Sequence, residues 1–333
     1  MPHSRAAGEF VDTVLRGQLL DRRRKLETAI AIQARSERLA DLLQEVDSAL
    51  ERVNDGTYGL CKACHDPIEV ERLISNPLLE FCLAHLTEAE QHALERDLQM
   101  ARQIQATLLP KAKLTCGGWE SCYHYQPAGP VSGDYCDLVE GANGDLHFLF
   151  GDVSGKGVAA SILTGHLHAM FRALISAGLA LDELLARANA LFCESTMPTS
   201  YATLVCGRAG RAGSVEIVNA GHCSPLWIGA SHAKAIAATG LPLGLFCNST
   251  YGVERVSLDS GDSLLLYTDG VPEARDLSNA EYGTERLSSV ATAKRDLPAD
   301  ALIQACLSDL RAFQHGSLQA DDITLMVLRR AAH

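Results

Sequence analysis

The stretch Gly151-Asp152-Val153-Ser154-Gly155-Lys156-Gly157 lies between a β-rich run, Asp145–Phe150, and a helical pattern over Val158–Ala177. Glycine and aspartate at the end of a strand are the ordinary residues of a tight turn, so one such stretch means little. Three more acidic stretches have the same placement. They are Ser132-Gly133-Asp134-Tyr135, Tyr267-Thr268-Asp269-Gly270 and Asp321-Asp322-Ile323-Thr324. A folded sheet can bring these carboxylates to one edge.

Carboxylates gathered at one edge need a counter-charge. Four anions in a partly dry site repel one another at a cost on the order of several kcal/mol, which bound divalent cations would remove. Ligand sets made of oxygen favour Mg²⁺ or Mn²⁺ over zinc. The four stretches therefore predict a site for hard divalent ions. The sequence has no Cys-x5-Arg phosphate loop, so it gives no support to a phosphocysteine route.

The pattern after Pro110 predicts a mixed domain of more than 200 residues, with an α+β or α/β fold. Short β-rich runs alternate with glycine turns and with longer runs of helical periodicity. The predicted strands are Asp145–Phe150, Tyr201–Gly207, Val215–Val218, Ser263–Tyr267 and Ile323–Leu328. The predicted helices are Val158–Ala177, Leu181–Thr196 and Ala299–Phe313.

From about Ala101 to Leu328 the chain resembles the SpoIIE/RsbU branch of the metal-dependent protein phosphatases, within the protein phosphatase 2C superfamily. The matching motifs include a glutamine-containing helix that ends in Leu-Leu-Pro110 and the four acidic stretches, all in family order. Two more are Asn219-Ala220-Gly221-His222 and Leu241-Pro242-Leu243-Gly244-Leu245. The resemblance implies an α+β fold, specifically an α-β-β-α sandwich.

The resemblance also implies a site with two Mn²⁺ or Mg²⁺ ions. It places the catalytic and metal-ligating roles on Asp134, Asp152, Asp269 and Asp321, and we expect Asp152 to bridge both ions. Val153 would contribute its backbone carbonyl to a metal. We expect Asp322 to orient the ligands instead of binding metal itself.

The reaction implied is hydrolysis of phosphoserine or phosphothreonine, by a hydroxide formed between the two ions. The substrate implied by the resemblance is a STAS-domain anti-sigma-factor antagonist of a bacterial partner-switching circuit.

Two further residues lie in these motifs. We expect a turn or packing role for His222 rather than general-acid catalysis. Lys156 either contacts phosphate or sits beside the helix start.

Cysteines form a second constellation. Cys61-Lys62-Ala63-Cys64 is followed by Cys82-Leu83-Ala84-His85, and two paired knuckles at this separation can supply three thiolates and an imidazole to one zinc ion. A shell of four protein ligands leaves no position for water, so the predicted Zn²⁺ is structural. The remaining eight cysteines are interpreted as small core residues.

The residues around these ligands resemble the DksA/TraR zinc finger from roughly Leu15 to Leu86. Gly56-Thr57-Tyr58-Gly59-Leu60-Cys61, Pro67-Ile68 and Asn76-Pro77 carry the resemblance. The chain departs from that family with His85 in place of the fourth cysteine, and it has no Asp-x-x-Asp-x-Ala tip. An alternative function, a transcription accessory that binds RNA polymerase and uses the phosphatase domain as a scaffold, loses support from the missing tip.

We predict four regions: a helical or coiled-coil region over 1–55, the zinc finger over 56–87, a linker helix over 88–112 and the phosphatase domain over 113–333. Apolar residues between Glu9 and Val53 recur at helical spacing, which indicates one long helix or a helical hairpin. The run Arg22–Lys25 is interpreted as a solvated helix face. We expect the N-terminal regions to pair two chains into a homodimer and to regulate the phosphatase through the linker.

Composition excludes several classes of protein. The chain has 333 residues, of which 47% are hydrophobic and 21% charged, as in folded globular domains. A net charge of −12 argues against direct nucleic-acid binding. We expect no membrane span, since even Ala169–Leu185 is interrupted by charges, and the N-terminus has no signal-like apolar core. Eleven cysteines suit a reducing compartment, so we expect a cytoplasmic protein.

Overall fold

The computed structural model describes residues 3–32, 37–75, 77–82, 88–141, 143–230 and 233–331. The helices are α1 His3–Ile32, α2 Glu37–Asp55, α3 Val70–Ser75, α4 Glu88–Leu108, α5 Gly157–Ser176, α6 Leu181–Ser195, α7 Thr284–Ala293 and α8 Ala299–Gln314. The strands are β1 Lys113–Cys116, β2 Trp119–Gln126, β3 Asp134–Glu140, β4 Leu146–Val153, β5 Ala202–Ala209, β6 Ser214–Ala220, β7 Leu226–Ile228, β8 Ala233–Ala235, β9 Glu254–Ser257, β10 Ser263–Tyr267 and β11 Ile323–Arg330.

The strands form two antiparallel sheets. The larger sheet has the order β1-β2-β11-β10-β7-β8, and the smaller has the order β3-β4-β5-β6-β9. Strands distant in sequence are neighbours in the larger sheet, because β11 at the end of the chain pairs with β2 over eight residues. The smaller sheet carries the acidic stretches of Asp134 and Asp152, and the larger sheet carries those of Asp269 and Asp321.

Three apolar clusters define four layers. One cluster lies between the sheets and includes Phe148, Phe150 and Met326. A second joins the smaller sheet to α5 and α6, through residues such as Phe171 and Phe192. A third joins the larger sheet to α7 and α8. Apolar residues face both sides of β4, as expected for a strand covered on both faces. The predicted α-β-β-α sandwich is therefore confirmed.

The β3–β4 hairpin sets the geometry at one end of the smaller sheet. Its register places Asp134 opposite Asp152 at the open end, and Glu140 opposite Leu146 next to the turn. Because side chains alternate along a strand, a slip of one residue would move Asp152 to the other face. The burial of Phe148 and Phe150 between the sheets opposes such a slip.

The N-terminal part of the chain is helical and has two small apolar clusters. Helices α1 and α2 pack against each other through Leu19, Leu26 and Val46, among other residues. Leu15 of α1 belongs to a second cluster together with Cys61 and Cys82. Because α1 and α2 pack against each other, the described residues agree with the hairpin alternative.

In the described part of the chain, α5 is the helix whose length and composition would allow it to cross a membrane. This criterion concerns length and composition alone, so it does not contradict the expectation of no membrane span. Apolar core helices meet the same criterion. In the structure α5 buries Leu167, Met170 and Phe171 on the smaller sheet and α6.

Gly207 provides a test of the packing between the sheets. It lies opposite Phe148 in the β4–β5 ladder, and a methyl group on Gly207 would come within 2.0 Å of Cζ of that ring. We expect Gly207→Ala to lower the free energy of unfolding by about 2–3 kcal/mol, because the ring must leave its position. Urea denaturation at a fixed metal concentration measures this change.

Gly165→Ala is the matched control. Gly165 lies within α5, and its added methyl group would meet only a side chain at 3.6 Å. Alanine is favoured over glycine in a helix by roughly 0.5–1 kcal/mol, so this variant should be as stable as wild type or more stable. Equal losses in the two variants would contradict the proposed clash.

Candidate active site

The four predicted aspartates converge from both sheets. Asp134 begins β3 and Asp152 lies one residue before the end of β4 in the smaller sheet. In the larger sheet, Asp269 follows β10 and Asp321 precedes β11. Since β10 and β11 are paired neighbours, their adjoining ends bring these two residues together. The acidic stretches therefore meet at one edge of the sandwich.

Two threonines connect Asp134 to the opposite sheet. Thr268 donates its hydroxyl to Oδ2 of Asp134 over 3.1 Å, and the Thr324 hydroxyl donates to the same oxygen. Both threonines are fully buried, and the Thr268 N–H also donates to the Thr324 carbonyl. The sequence motifs contain both residues, but the periodicity of the strands does not show that their hydroxyls hold Asp134.

Asp322 orients the loop that precedes Asp134. Its carboxylate accepts hydrogen bonds from the Ser132 hydroxyl at 2.6 Å, the Ala128 N–H at 2.7 Å and the Gly133 N–H at 3.1 Å. Ser132 in turn accepts a bond from the Asp134 N–H. With its lone pairs directed to this loop, Asp322 lies where a positioning residue is expected.

The backbone N–H and carbonyl of Val153 lie beside Gly133, in the loop before Asp134. Its N–H donates to the Gly133 carbonyl over 3.1 Å. A methyl group on Gly133 would lie 3.0 Å from both the Val153 carbonyl oxygen and Oδ1 of Asp152. The carbonyl predicted to act as a ligand thus lies on the same side of Gly133 as the Asp152 carboxylate, and glycine keeps the space between them open.

Burial and mutual repulsion raise the pKa values of these carboxyl groups. Burial first, and then the charges of neighbouring aspartates, raise the pKa of Asp134 and of Asp152 well above the ordinary value. The same causes raise the pKa of Asp269 to about 7, and they also raise the pKa of Asp322. The cluster is therefore unfavourable as a set of free anions, which is the condition that a divalent cation relieves.

The acids are too far apart for three of them to hold one ion directly. Among the described residues, no three of the acids bring an oxygen apiece within 4.8 Å of one another. A single dehydrated ion held by three carboxylates would need that proximity, whereas Mg²⁺-like ions bind through one or two carboxylates and keep several waters. The oxygen donors of Asp134, Asp152, Asp269, Asp321 and the Val153 carbonyl are of the kind that Mg²⁺ or Mn²⁺ prefers.

Two lysines contact this acidic edge. Lys156 lies 2.9 Å from Oδ1 of Asp321 and donates to the Ala320 carbonyl. Lys25 of α1 lies 2.6 Å from Oε1 of Glu273 and 3.8 Å from Oδ2 of Asp269. Lys25 is exposed, as the interpretation of the Arg22–Lys25 run as a solvated face expects, but it also contacts the acidic edge. Sequence periodicity does not show which surface lies beside a helix.

His222 is buried beside the site in a neutral form. Burial lowers its pKa to about 4, and its Nδ1 lies 2.8 Å from the Thr203 hydroxyl. Asn219 accepts from the His222 N–H and donates to the His222 carbonyl. An imidazole that is neutral at pH 7 holds no proton beyond its single N–H, so these contacts agree with the predicted turn and packing role.

Three of the four predicted zinc ligands form a compact cluster far along the chain from the aspartates. The sulfur atoms of Cys61, Cys64 and Cys82 all lie within 4.8 Å of one another. Burial opposes ionisation of Cys61, but backbone N–H groups of Cys82, Cys64 and Ala63 outweigh it and lower the pKa of this thiol to about 6. The fourth predicted ligand, His85, lies outside the described residues.

The sequence model of one protein family matches more than half of the chain. This family is described as stage II sporulation protein E (SpoIIE), and the match covers residues 142–331. The chain belongs to the SpoIIE family. The matched region contains Asp152, Asp269 and Asp321, whereas Asp134 precedes it.

Individual relatives agree with the family assignment. The protein IcfG of Synechocystis is 27% identical over 266 residues, which are 70% of this chain and 41% of IcfG. The phosphoserine phosphatase RsbP of Bacillus subtilis is 28% identical over 183 residues, 53% of this chain and 45% of RsbP. The chain thus spans less than half the length of these two curated relatives.

The fold has solved counterparts. The SiaA-PP2C domain of Pseudomonas aeruginosa superposes with a TM-score of 0.64 at 20% identity, and the match covers 73% of this chain and 99% of that domain. At this identity the likeness concerns the fold alone. It agrees with the two antiparallel sheets and the outer helices described above.

The raised pKa of Asp269 leads to a pH prediction for the metal-free protein. Between the ordinary value of 3.8 and about 7, the folded state holds a proton that the unfolded chain has released. Stability should therefore fall as pH rises through this window. The Asp269 side chain is 35% exposed, so solvent screening reduces the effect to about 1–2 kcal/mol.

Thermal unfolding in EDTA between pH 4.5 and pH 8 measures this loss. Asp269→Asn removes the titrating group, and we expect its stability to depend less steeply on pH than that of wild type. Asp296→Asn, at a side chain that is 92% exposed, is the control and should keep the wild-type slope. Parallel curves for all three proteins would contradict the assignment.

Proposed function

We propose that this protein is a metal-dependent protein serine/threonine phosphatase. The observation that carries the proposal is the convergence of Asp134, Asp152, Asp269 and Asp321 from the two sheets at one edge of the sandwich. The raised pKa values of three of these groups indicate a site built for cations. The relative RsbP, which carries the name phosphoserine phosphatase, supports the same reaction class.

We assign roles to the residues as follows. Asp152 lies between the two halves of the site, since it is paired with Asp134 in its own sheet and interacts electrostatically with Asp269 and Asp321 of the other. It would therefore hold both ions. Bound Mn²⁺ or Mg²⁺ would supply Lewis acidity and lower the pKa of a water molecule for in-line attack on phosphorus.

The remaining residues orient the groups that bind. Thr268 and Thr324 fix one oxygen of Asp134, and Asp322 fixes the preceding loop. Lys156 at Asp321 places a positive charge at the same edge, which suits binding of a phosphate group. Together these contacts hold the site rigid before a substrate arrives.

For the substrate, we propose a phosphoserine or phosphothreonine on a STAS-domain anti-sigma-factor antagonist of a partner-switching circuit. Membership of the SpoIIE family supports this class.

We also propose that the four predicted regions, 1–55, 56–87, 88–112 and 113–333, act together in a homodimer. Exposed Met100 and Ile104 on α4 give this helix an apolar surface for a second copy.

Phosphate release from a serine-phosphorylated peptide and from p-nitrophenyl phosphate tests the enzyme assignment. With saturating Mn²⁺, we expect Asp152→Asn to lose activity by at least about 100-fold, because one carboxylate serves both ions. The exposed Asp296→Asn variant should match wild type. If Asp152→Asn is as active as wild type, the assignment is wrong.

We also propose that Cys61, Cys64, Cys82 and His85 bind one structural Zn²⁺. The closeness of the three sulfur atoms supports this site. We expect one zinc per chain by elemental analysis, and we expect Cys64→Ser to lose it and to melt at a lower temperature, since structural zinc contributes to folding. The exposed Cys247→Ser variant should retain zinc. Full zinc content in Cys64→Ser would exclude the site.

A further inference from the structure

Helix α1 crosses the edge of the sandwich where the aspartates converge. Gln18 on α1 donates its side-chain amide to the Ala320 carbonyl over 3.1 Å, one residue before Asp321. Two turns further along α1, Lys25 lies beside Asp269 and Glu273. The segment Gln18–Leu26 of α1, called the strap below, therefore runs from one predicted ligand to another.

Contacts of three chemical kinds hold the strap in place. One is the hydrogen bond of Gln18, and another is an ion pair between Asp21 and Arg275 at 3.4 Å. The third is apolar, because Tyr201 and Leu245 pack against the cluster that contains Leu19 and Leu26. These contacts are spread along the strap from Gln18 to Leu26, so they fix this part of α1 against the edge of the sandwich.

Tyr201 links the strap to the motif that carries Asp152. Tyr201, which packs against the apolar cluster of the strap, accepts a hydrogen bond from the Ser154 N–H at 2.8 Å. The Tyr201 N–H donates to the Ser154 hydroxyl at 2.9 Å. Ser154 is two residues from Asp152, so the Tyr201–Ser154 pair connects the strap to this predicted metal ligand.

Lys25 brings a positive charge to a carboxylate that a metal ion would use. Its ammonium lies 3.8 Å from Oδ2 of Asp269 and is held there by Glu273 at 2.6 Å. A divalent ion on Asp269 would lie within a few ångströms of this ammonium, and two cations so close repel. The Lys25 side chain is 61% exposed, so it can leave by rotating into solvent.

We propose that α1 is an autoinhibitory strap, in which Lys25 competes with the metal ion for Asp269 and the helix blocks the approach of a phosphoprotein. This inference rests on the proposed metal site. Competition for one carboxylate is reciprocal: whatever lifts α1 strengthens metal binding, and metal binding weakens the hold on α1 by the same factor. Binding of a partner that lifts α1 would therefore act directly on the edge of the sandwich where Asp269 and Asp321 lie.

Calorimetric titration of the full chain with Mn²⁺ tests the competition. Lys25→Met keeps the length of the side chain and removes its charge, and it should bind Mn²⁺ about three- to tenfold more tightly than wild type. Lys25→Arg keeps the charge and should resemble wild type. Lys111→Met, at an exposed lysine near β1, controls for the loss of one positive charge.

The salt dependence sharpens this test. Repulsion between exposed charges is screened, so the advantage of Lys25→Met should shrink between 0.05 M and 0.5 M NaCl. Mn²⁺ affinity in Lys25→Met that is equal to or weaker than that of wild type at low salt would overturn the proposal. A weaker affinity would instead make Lys25 part of the binding site.

Trypsin provides a second readout that uses the unaltered chain. Arg22, Arg23 and Arg24 lie within the strap and are cleavage sites. Saturating Mn²⁺ should speed cleavage there severalfold, because loss of the Lys25–Asp269 contact weakens the hold on α1, and Asp152→Asn should show no such increase. Cleavage of wild type that is unchanged or slowed by Mn²⁺ would contradict the strap.

The two proposals can fail separately. If no variant releases phosphate but Lys25→Met binds Mn²⁺ more tightly and trypsin responds to Mn²⁺, the phosphatase assignment falls and the strap stands. If the enzyme is active but Lys25→Met and wild type bind Mn²⁺ equally, the strap falls and the phosphatase stands.

Discussion

The candidate active site depends on holding carboxylates together against their own repulsion. Asp134 belongs to one sheet, yet its side chain is fixed by Thr268 and Thr324 of the other. These hydrogen bonds tie the sheets together at the edge where the charges meet. Because the apolar layer between the sheets sets their separation, the packing of Phe148 and Phe150 determines how close the acids can come. A change in the packing between the sheets should therefore also change the spacing of the carboxylates.

Much of this arrangement could be predicted from sequence, because it is built from local patterns. The predicted strand at Ser263–Tyr267 has the observed bounds, and the predicted helix at Leu181–Thr196 differs from α6 by one residue. Apolar periodicity fixes such elements locally. The sequence pattern does not predict six strands, β1, β2, β3, β7, β8 and β9. Four of these have only three or four residues, which carry too little periodicity to be recognised, whereas β2 and β3 are long enough and were missed all the same.

Contacts between distant segments were the part that sequence could not supply. The motifs indicated that Asp134, Asp152, Asp269 and Asp321 meet, but they did not indicate the hydrogen bonds that hold them. Lys25 is the clearest example. Its neighbours in sequence are three arginines, which resemble a solvated surface, and only the docking of α1 places it beside Asp269. A side chain's electrostatic partners depend on tertiary packing, which a single sequence does not record.

In the β3–β4 hairpin, the paired carboxylates and the turn lie at opposite ends. At its open end the register must keep Asp134 opposite Asp152, whereas its turn lies at the far end, beyond Glu140 and Leu146. Six paired positions stand between the turn and the Asp134–Asp152 pair. An insertion or deletion in the turn would therefore leave Asp134 opposite Asp152, so the length of that corner is independent of the spacing of the two carboxylates.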